Sequence, residues 1–345
     1  MQKYKVAIVG ATGFTGSELV RILVNHPRIE ITAITSESRV GECFSDVHPQ
    51  FAGICDTVLI KAAEVSDQNT DLAFLALPHG VSMDYVETYK NQNFKIVDLS
   101  GDFRLSTPEV YSAWYPKAHT FPEGFETAVY GLPELNKKRI ASARLTANPG
   151  CYPTSAILGL APLLSAKMID PDRIIIDSKS GVTGAGVKPG AVNHFSNVND
   201  NFKAYGISTH RHTIEIKENA ETLSGSAASI QFTPHLLPVD RGILSTIYAR
   251  PAEEVSAEKI KRAFSDFYES EPFVRLRDTP PSIKQVRGTN YCDIFATFDE
   301  TTGNIIVVSV IDNLVKGAAG QAVQNMNLML GLDETLGLNQ VPLQP

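Results

Sequence analysis

Cysteine is scarce in this chain, with four residues among 345: Cys43, Cys55, Cys151 and Cys292. So few, so widely scattered, exclude a disulfide scaffold, and no pair has the close spacing of a structural zinc site. Long apolar runs are missing too. No stretch approaches the length and continuous apolarity of a membrane span. The opening Met1-Gln2-Lys3-Tyr4-Lys5 runs into Val6-Ala7-Ile8-Val9-Gly10 without the apolar core and cleavage region of a secretory signal. The expectation is a cytoplasmic protein without a membrane partner, in a compartment that keeps thiols reduced. Positive charge is not in excess either. The formal net charge of -7 offers no general attraction to a phosphate polymer, which argues against nucleic acid as a partner. There is neither an internal repeat nor a low-complexity linker.

What is present is an ordinary globular composition, 43% hydrophobic and 20% charged, on a length that favours about two domains. The strand-like Lys5-Val6-Ala7-Ile8-Val9 leads into Gly10-Ala11-Thr12-Gly13-Phe14-Thr15-Gly16, after which Leu19, Val20, Leu23 and Val24 recur on one helical face. A strand, a glycine turn and a helix in that order bring a pyrophosphate close to backbone amides and to the positive end of a helix. The spacing G-x-x-G-x-x-G is displaced from G-x-G-x-x-G, so the flanking strand and helix carry part of the reading. The next strand-like run, Glu30 to Thr35, ends in Ser36-Glu37-Ser38-Arg39. Hydroxyls and an arginine there accommodate a ribose phosphate, so Ser36, Ser38 and Arg39 tilt the cofactor toward NADP while Glu37 pulls the other way. Asp71 to Leu77 then leads into Pro78-His79-Gly80, and Phe94 to Leu99 into Ser100-Gly101-Asp102-Phe103-Arg104. Both are buried-strand patterns that end in polar loops, where open parallel sheets hold ligands. Asp102 is expected to hold a loop. Arg104 suits either two directed bonds to an anionic group or a solvent salt bridge.

From about residue 148 the rhythm changes. Ala147-Asn148-Pro149-Gly150-Cys151-Tyr152-Pro153-Thr154 places one thiol between a turn and an apolar helix-like run. A cysteine at a helix N-terminus has access and a lowered pKa, so Cys151 is a candidate nucleophile; the local pattern alone also fits a buried core thiol. Strand-like segments follow at 173–180, 227–235, 242–249 and 304–312, with a flexible glycine-rich loop at 181–190 and a helix-like segment at 256–268 carrying Ile260, Ala263, Phe264 and Phe267. A final helix, with Ala322, Val323, Met326, Met329 and Leu330 as its apolar stripe, is expected to return to the nucleotide domain. The predicted fold class is α/β, a Rossmann-type NADP-binding domain (1–147 and 314–345) joined to a second α+β catalytic and oligomerisation domain (148–313).

Thr209-His210-Arg211-His212-Thr213-Ile214-Glu215 is the second dense polar cluster. A histidine near Cys151 favours the thiolate and exchanges a proton; for a metal the pair lacks a clear third ligand. Together the Gly10 to Gly16 turn, Ser100 to Arg104, Asn148 to Pro153, Ser180 to Gly186, His210 to Glu215 and Asp312 to Ala318 span nearly the whole chain. In that ordered combination the sequence resembles the N-acetyl-gamma-glutamyl-phosphate reductase family, relatives of aspartate-semialdehyde dehydrogenase. The resemblance implies Cys151 as nucleophile and a histidine of the pair as acid/base, His212 preferred over His210. It implies that Arg104, His210 and Glu215 meet the substrate, Glu215 orienting it or the base. It implies that Gly10, Thr12, Gly13, Thr15 and Gly16 surround the dinucleotide, with Pro78, Gly80 and Gly184 along its path and Asn313 toward the nicotinamide. Thr183 stands where the family motif has serine, a conservative departure that leaves the loop's substrate contacts open. The implied activity is NADPH-dependent reduction of N-acetylglutamyl 5-phosphate in arginine biosynthesis, by a homodimer or homotetramer. A reductase acting on a carrier-protein-linked aminoadipyl or glutamyl phosphate is the nearest rival, disfavoured by the net negative charge. Aspartate-semialdehyde dehydrogenase fits the motifs less closely, and a nucleotide-sensing protein with an inert thiol would not need them together.

Overall fold

The computed structural model describes residues 3–344. The chain divides into two compact units, one running to Pro149 and joined by Ala318–Asn339, the other Gly150–Gly317 with the residues from Gln340 on. The tail that the sequence assigns whole to the nucleotide domain is thus divided: in the second unit, the Leu343 amide donates to Arg287 O at 3.0 Å.

In the first unit six strands form one parallel sheet: β1 (Tyr4–Val9), β2 (Ile29–Ile34), β3 (Leu72–Leu75), β4 (Lys95–Asp98), β5 (Ala128–Tyr130) and β6 (Leu145–Ala147), in the order β2-β1-β3-β4-β6-β5. Continuous apolar runs form these strands because both faces of the sheet are covered; every residue of β3 is buried. The order reverses between β1 and β3, so the Gly10 turn and the Pro78 loop leave adjacent strands at a switch point. Helix α1 (Phe14–Leu23) buries Leu19, Val20, Ile22 and Leu23 beside the sheet. Helix α2 (Pro133–Ser142) precedes β6. The last helix of this unit, α6 (Gly320–Met329), packs against α1 and α2 and is buried all round. The apolar stripe legible in its sequence is only part of its buried surface. Its polar residues are enclosed as well: Asn325 Nδ2 donates to Gly131 O at 2.8 Å and to Asn148 Oδ1 at 3.0 Å, and Asn327 Nδ2 donates to Leu336 O at 2.9 Å.

The second unit holds a mixed sheet of seven strands: β7 (Ile169–Ser180), β8 (Lys203–Ala204), β9 (Ile230–Leu236), β10 (Ile243–Pro251), β11 (Val274–Leu276), β12 (Cys292–Asp299) and β13 (Asn304–Ile311), ordered β11-β12-β13-β10-β7-β9-β8. Helices α3 (Cys151–Ser165), α4 (His212–Ser224) and α5 (Ala257–Tyr268) complete it. Small residues bring α3 down onto the central strands. A Cβ at Gly159 would lie 2.6 Å from Ile247 Cδ1, and Ser155 Oγ donates to Ser245 Oγ at 3.0 Å, which is 2.7 Å from Ser178 Oγ. The alternate residues of the same strands face away from α3, and among them Ile175 stays 44% and Tyr248 37% exposed.

Candidate active site

Helix α3 starts at Cys151 itself, with Gly150 as its extended N-cap. The thiol therefore leaves the first helical residue, at the positive end of the helix, and the side chain is half-buried. In this turn Gly150 has no side chain and Pro149 and Pro153 have no N–H to donate, while Thr154 Oγ1 donates to Gly150 O at 2.9 Å. Thr154 N donates to Gly150 O at 2.9 Å, and Gly150 N donates to Glu215 Oε1 at 2.8 Å. Gly317 closes the other side, where an added Cβ would sit 2.8 Å from Cys151 Cβ.

Helix α4 starts at His212, and the spacing of three puts His212 and Glu215 on one side of it, 8% and 1% exposed. His210 lies just before, enclosed by rings: its centroid is 5.7 Å from Tyr152, 5.6 Å from Tyr205, 5.5 Å from Phe232 and 4.8 Å from His212. Burial, followed by the charge of Arg211, pushes the His210 pKa down to about 4. Its Nδ1 accepts a hydrogen bond from His212 N at 3.2 Å, so a neutral His210 caps the helix that carries His212. Tyr205 has no motif around it and was not found from the sequence. Its hydroxyl lies 3.1 Å from that of Tyr152, which donates to His235 O at 3.2 Å. Gly317 stands in the Asp312 to Ala318 motif, but its place beside Cys151 is not visible in the sequence, because the space it leaves depends on a residue far from it in the chain.

Two expected cofactor contacts lie in this unit. Asn313 is buried, and its amide is occupied: Oδ1 accepts from Gly242 N at 2.8 Å and Nδ2 donates to Thr183 Oγ1 at 3.0 Å. It braces two loops. Gly184 is exposed on the 3-10 turn Val182–Ala185.

In the first unit the glycine turn divides its labour. Gly10 has φ +86°, and a Cβ there would lie 2.6 Å from Ala76 O; one at Gly16 would lie 2.5 Å from Ala11 Cα. Only glycine serves at either position. Gly13, the N-cap of α1, has nothing within 4 Å of its would-be Cβ, and Thr12 and Thr15 flank it half-buried. The turn thus keeps open space at the helix N-terminus, which fits a pyrophosphate. Thr35, at the end of β2, accepts from Gly10 N through Oγ1 at 3.2 Å. Beyond it Ser36 is buried and Ser38 exposed. Glu37 Oε1 accepts from Ala62 N at 3.0 Å, and Arg39 pairs with Glu42, Nε lying 3.0 and 3.1 Å from its two oxygens.

Asp102 ties the loops after β3 and β4 together. Fully buried, it accepts from Gly80 N at 2.7 Å, from Met83 N at 3.1 Å and from the Tyr111 hydroxyl at 3.2 Å. Gly80, at φ +77°, is buried by this arrangement, while Pro78 beside it is exposed. Burial first, then the neighbouring Asp102, raises the Asp98 pKa to about 6. Arg104 corrects one of its sequence readings. It is buried, so it forms no solvent salt bridge, and its Nε and Nη2 donate to the carbonyls of Asn148 at 2.7 Å and Leu99 at 2.8 Å. These two bonds hold the ends of two strands. Among the described residues no group of three or more His, Cys, Asp or Glu could hold a metal ion.

Two family models match: the NAD-binding domain of semialdehyde dehydrogenase over residues 5–143 and the dimerisation domain of semialdehyde dehydrogenase over 151–313. Fold and matches define a two-domain, NAD(P)-dependent enzyme of the semialdehyde dehydrogenase class. Aspartate semialdehyde dehydrogenase II of Vibrio cholerae, solved with its semialdehyde, has a TM-score of 0.74 at 17% identity, covering 96% of this chain and 99% of that one. The Candida albicans enzyme solved with NADP has a TM-score of 0.70 at 16% identity, covering 95% and 99%. Those likenesses concern the fold. Sequence similarity is closer elsewhere: N-acetyl-gamma-glutamyl-phosphate reductase of Citrifermentans bemidjiense is 50% identical over 345 residues, and that of Geobacter sp. strain M21 is 51% identical, each match covering 99% of both chains. The chain belongs to the N-acetyl-gamma-glutamyl-phosphate reductase family.

Proposed function

We propose that the protein reduces N-acetylglutamyl 5-phosphate to N-acetylglutamate 5-semialdehyde and phosphate, in arginine biosynthesis and in the cytoplasm, with NADPH as reductant. The observation that carries this reading is a thiol on the first residue of a helix, its turn bonded to the helix that begins with His212, in a chain half identical along its length to reductases of that name.

Cys151 is the nucleophile. His212 takes the thiol proton, and the thiolate attacks the acyl carbon, forming the C–S bond as the C–O bond to phosphate breaks. The proton held on His212 passes to the departing phosphate oxygen. The dinucleotide, when bound, supplies hydride to the thioester carbonyl. The neutral His212 then donates a hydrogen bond from its N–H to the oxygen of the resulting thiohemiacetal, the C=O re-forms as the C–S bond breaks to release the aldehyde, and the departing thiolate takes up a proton from solvent through His212. His210 is unsuited to this work: a group that protonates only near pH 4 does not carry a proton near neutrality. Its place is to cap α4.

In the first unit, Gly10, Thr12, Gly13, Thr15 and Gly16 would hold the pyrophosphate, and the loops joined by Asp102 would carry Pro78 and Gly80 along its path. NADP is favoured over NAD because Glu37, the acid that would claim free ribose hydroxyls, already accepts from Ala62 N, while Ser38 and Arg39 stay at the surface. A ribose phosphate there competes with Glu42 for Arg39. The open face of the second unit's sheet, with Ile175 and Tyr248 exposed on it, supports assembly as a homodimer or homotetramer.

The test is turnover in reverse with N-acetylglutamate semialdehyde, phosphate and NADP+. NADPH formation that requires both phosphate and Cys151 supports the reading. Binding of NADP+ without turnover turns it toward a carrier-linked substrate, and turnover retained by Cys151→Ala sinks the covalent mechanism.

A further inference from the structure

The nucleophile's turn is fastened by a carboxylate that belongs to the other catalytic helix. Gly150, the N-cap of α3, cannot cap with a side chain, and the prolines on either side of the Gly150-Cys151-Tyr152 stretch remove two backbone donors. The Gly150 N–H is one donor that the turn offers to a partner. Glu215 takes it at 2.8 Å, across 65 residues of sequence and with its side chain almost wholly buried. Gly317 presses against the Cys151 Cβ from elsewhere in the unit, leaving no room for a side chain. These two contacts hold the turn from outside it. One of them lies on α4, a single helical turn beyond His212.

We propose that Glu215 is a positioning residue for the nucleophile. Its oxygen acts as a fixed acceptor that locks the Gly150 turn to α4 and so sets the separation of the Cys151 thiol from the His212 imidazole; it does not serve as a substrate ligand. The proposal rests on Cys151 being the nucleophile. What the task demands of the side chain is an oxygen at that place, which glutamine also supplies through its amide carbonyl, whereas alanine supplies nothing. Binding the substrate or moving a proton would need the carboxylate itself.

The experiment compares wild type with Glu215→Gln and Glu215→Ala in the reverse assay and in iodoacetamide labelling of Cys151 across pH, with peptide mass spectrometry to assign the label and NADP+ affinity to report folding. The alanine variant should lose roughly 100-fold in kcat, as a misplaced nucleophile does, with KM for the semialdehyde within about threefold of wild type and a displaced pH profile of labelling. The glutamine variant should keep the wild-type labelling profile and most of kcat. A loss confined to KM with labelling unchanged would make Glu215 a substrate ligand and overturn the proposal, as would a glutamine variant as impaired as alanine. Should alanine abolish NADP+ binding, the glutamine variant decides alone by the same two readouts. Failure of the underlying reading shows separately, as turnover by Cys151→Ala.

Discussion

The two units build their sites by different means. At the nucleotide turn the backbone does the work: Gly10 and Gly16 are fixed by a positive φ and by close approach, Gly13 leaves space, and all of this lies between residues 10 and 16. At the thiol, side chains do it, and they come from Cys151, His210, His212, Glu215 and, through the absence of a side chain, Gly317. A site made of backbone is local in sequence and tolerates little at each position. A site made of side chains is scattered, and its members differ in how much they matter.

Substitutions should sharpen that contrast. The largest effect is expected of Cys151→Ala, which should lower turnover at least about 1,000-fold while leaving NADP+ affinity as it was; equilibrium binding by protein fluorescence checks the second half. Gly10→Ala should do the reverse. Its Cβ meets the Ala76 carbonyl in a backbone conformation that L-residues avoid, at a cost of about 1–3 kcal/mol in stability and with dinucleotide affinity falling well before thiol reactivity does, as urea unfolding and cofactor titration would show.

Acid should also separate the units. His210 has its pKa lowered to about 4 when folded, against about 6.5 in an unfolded chain. As pH falls from about 6.5 toward 4, the unfolded state takes up a proton that the folded state refuses, and the second unit loses stability, on the order of 2 kcal/mol. Asp98 runs the other way. Its pKa of about 6 when folded exceeds the unfolded value near 3.9, so the folded state binds the extra proton. Its contribution is present below the unfolded pKa and is lost as pH rises through about 6. Unfolding at pH 7 and pH 5 should therefore show a shallower acid decline for His210→Phe and a steeper one for Asp98→Asn. The smallest effect belongs to Arg39→Ala, which should cost NADPH roughly tenfold in affinity and NADH almost nothing; equal losses for both would remove Arg39 from the ribose phosphate.

The sequence makes the nucleotide half legible because its signals are consecutive: strand, glycine turn and helix stand together, and the structure puts α1 and β1 where that order demands. Cys151 and the His-Arg-His segment are legible as motifs, but what their neighbours do is not. The sequence does not show that Arg104 donates to the carbonyls of Asn148 and Leu99, or that Asn313 joins the Gly242 amide to the Thr183 hydroxyl. In each case the partners are groups that the fold brings in. Tyr205 is missed for the same reason: only the fold brings it beside Tyr152 and His210. The choice between His210 and His212 likewise turns on burial, which depends on rings contributed by β9 and by the segment after β8.

The most direct test of the account is to trap the acyl-enzyme. With N-acetylglutamyl phosphate and no reduced dinucleotide, intact-protein and peptide mass spectrometry should find one N-acetylglutamyl group on Cys151, discharged when NADPH is added and absent from Cys151→Ala. Turnover without such an adduct on Cys151, or with the group on another residue, would contradict it.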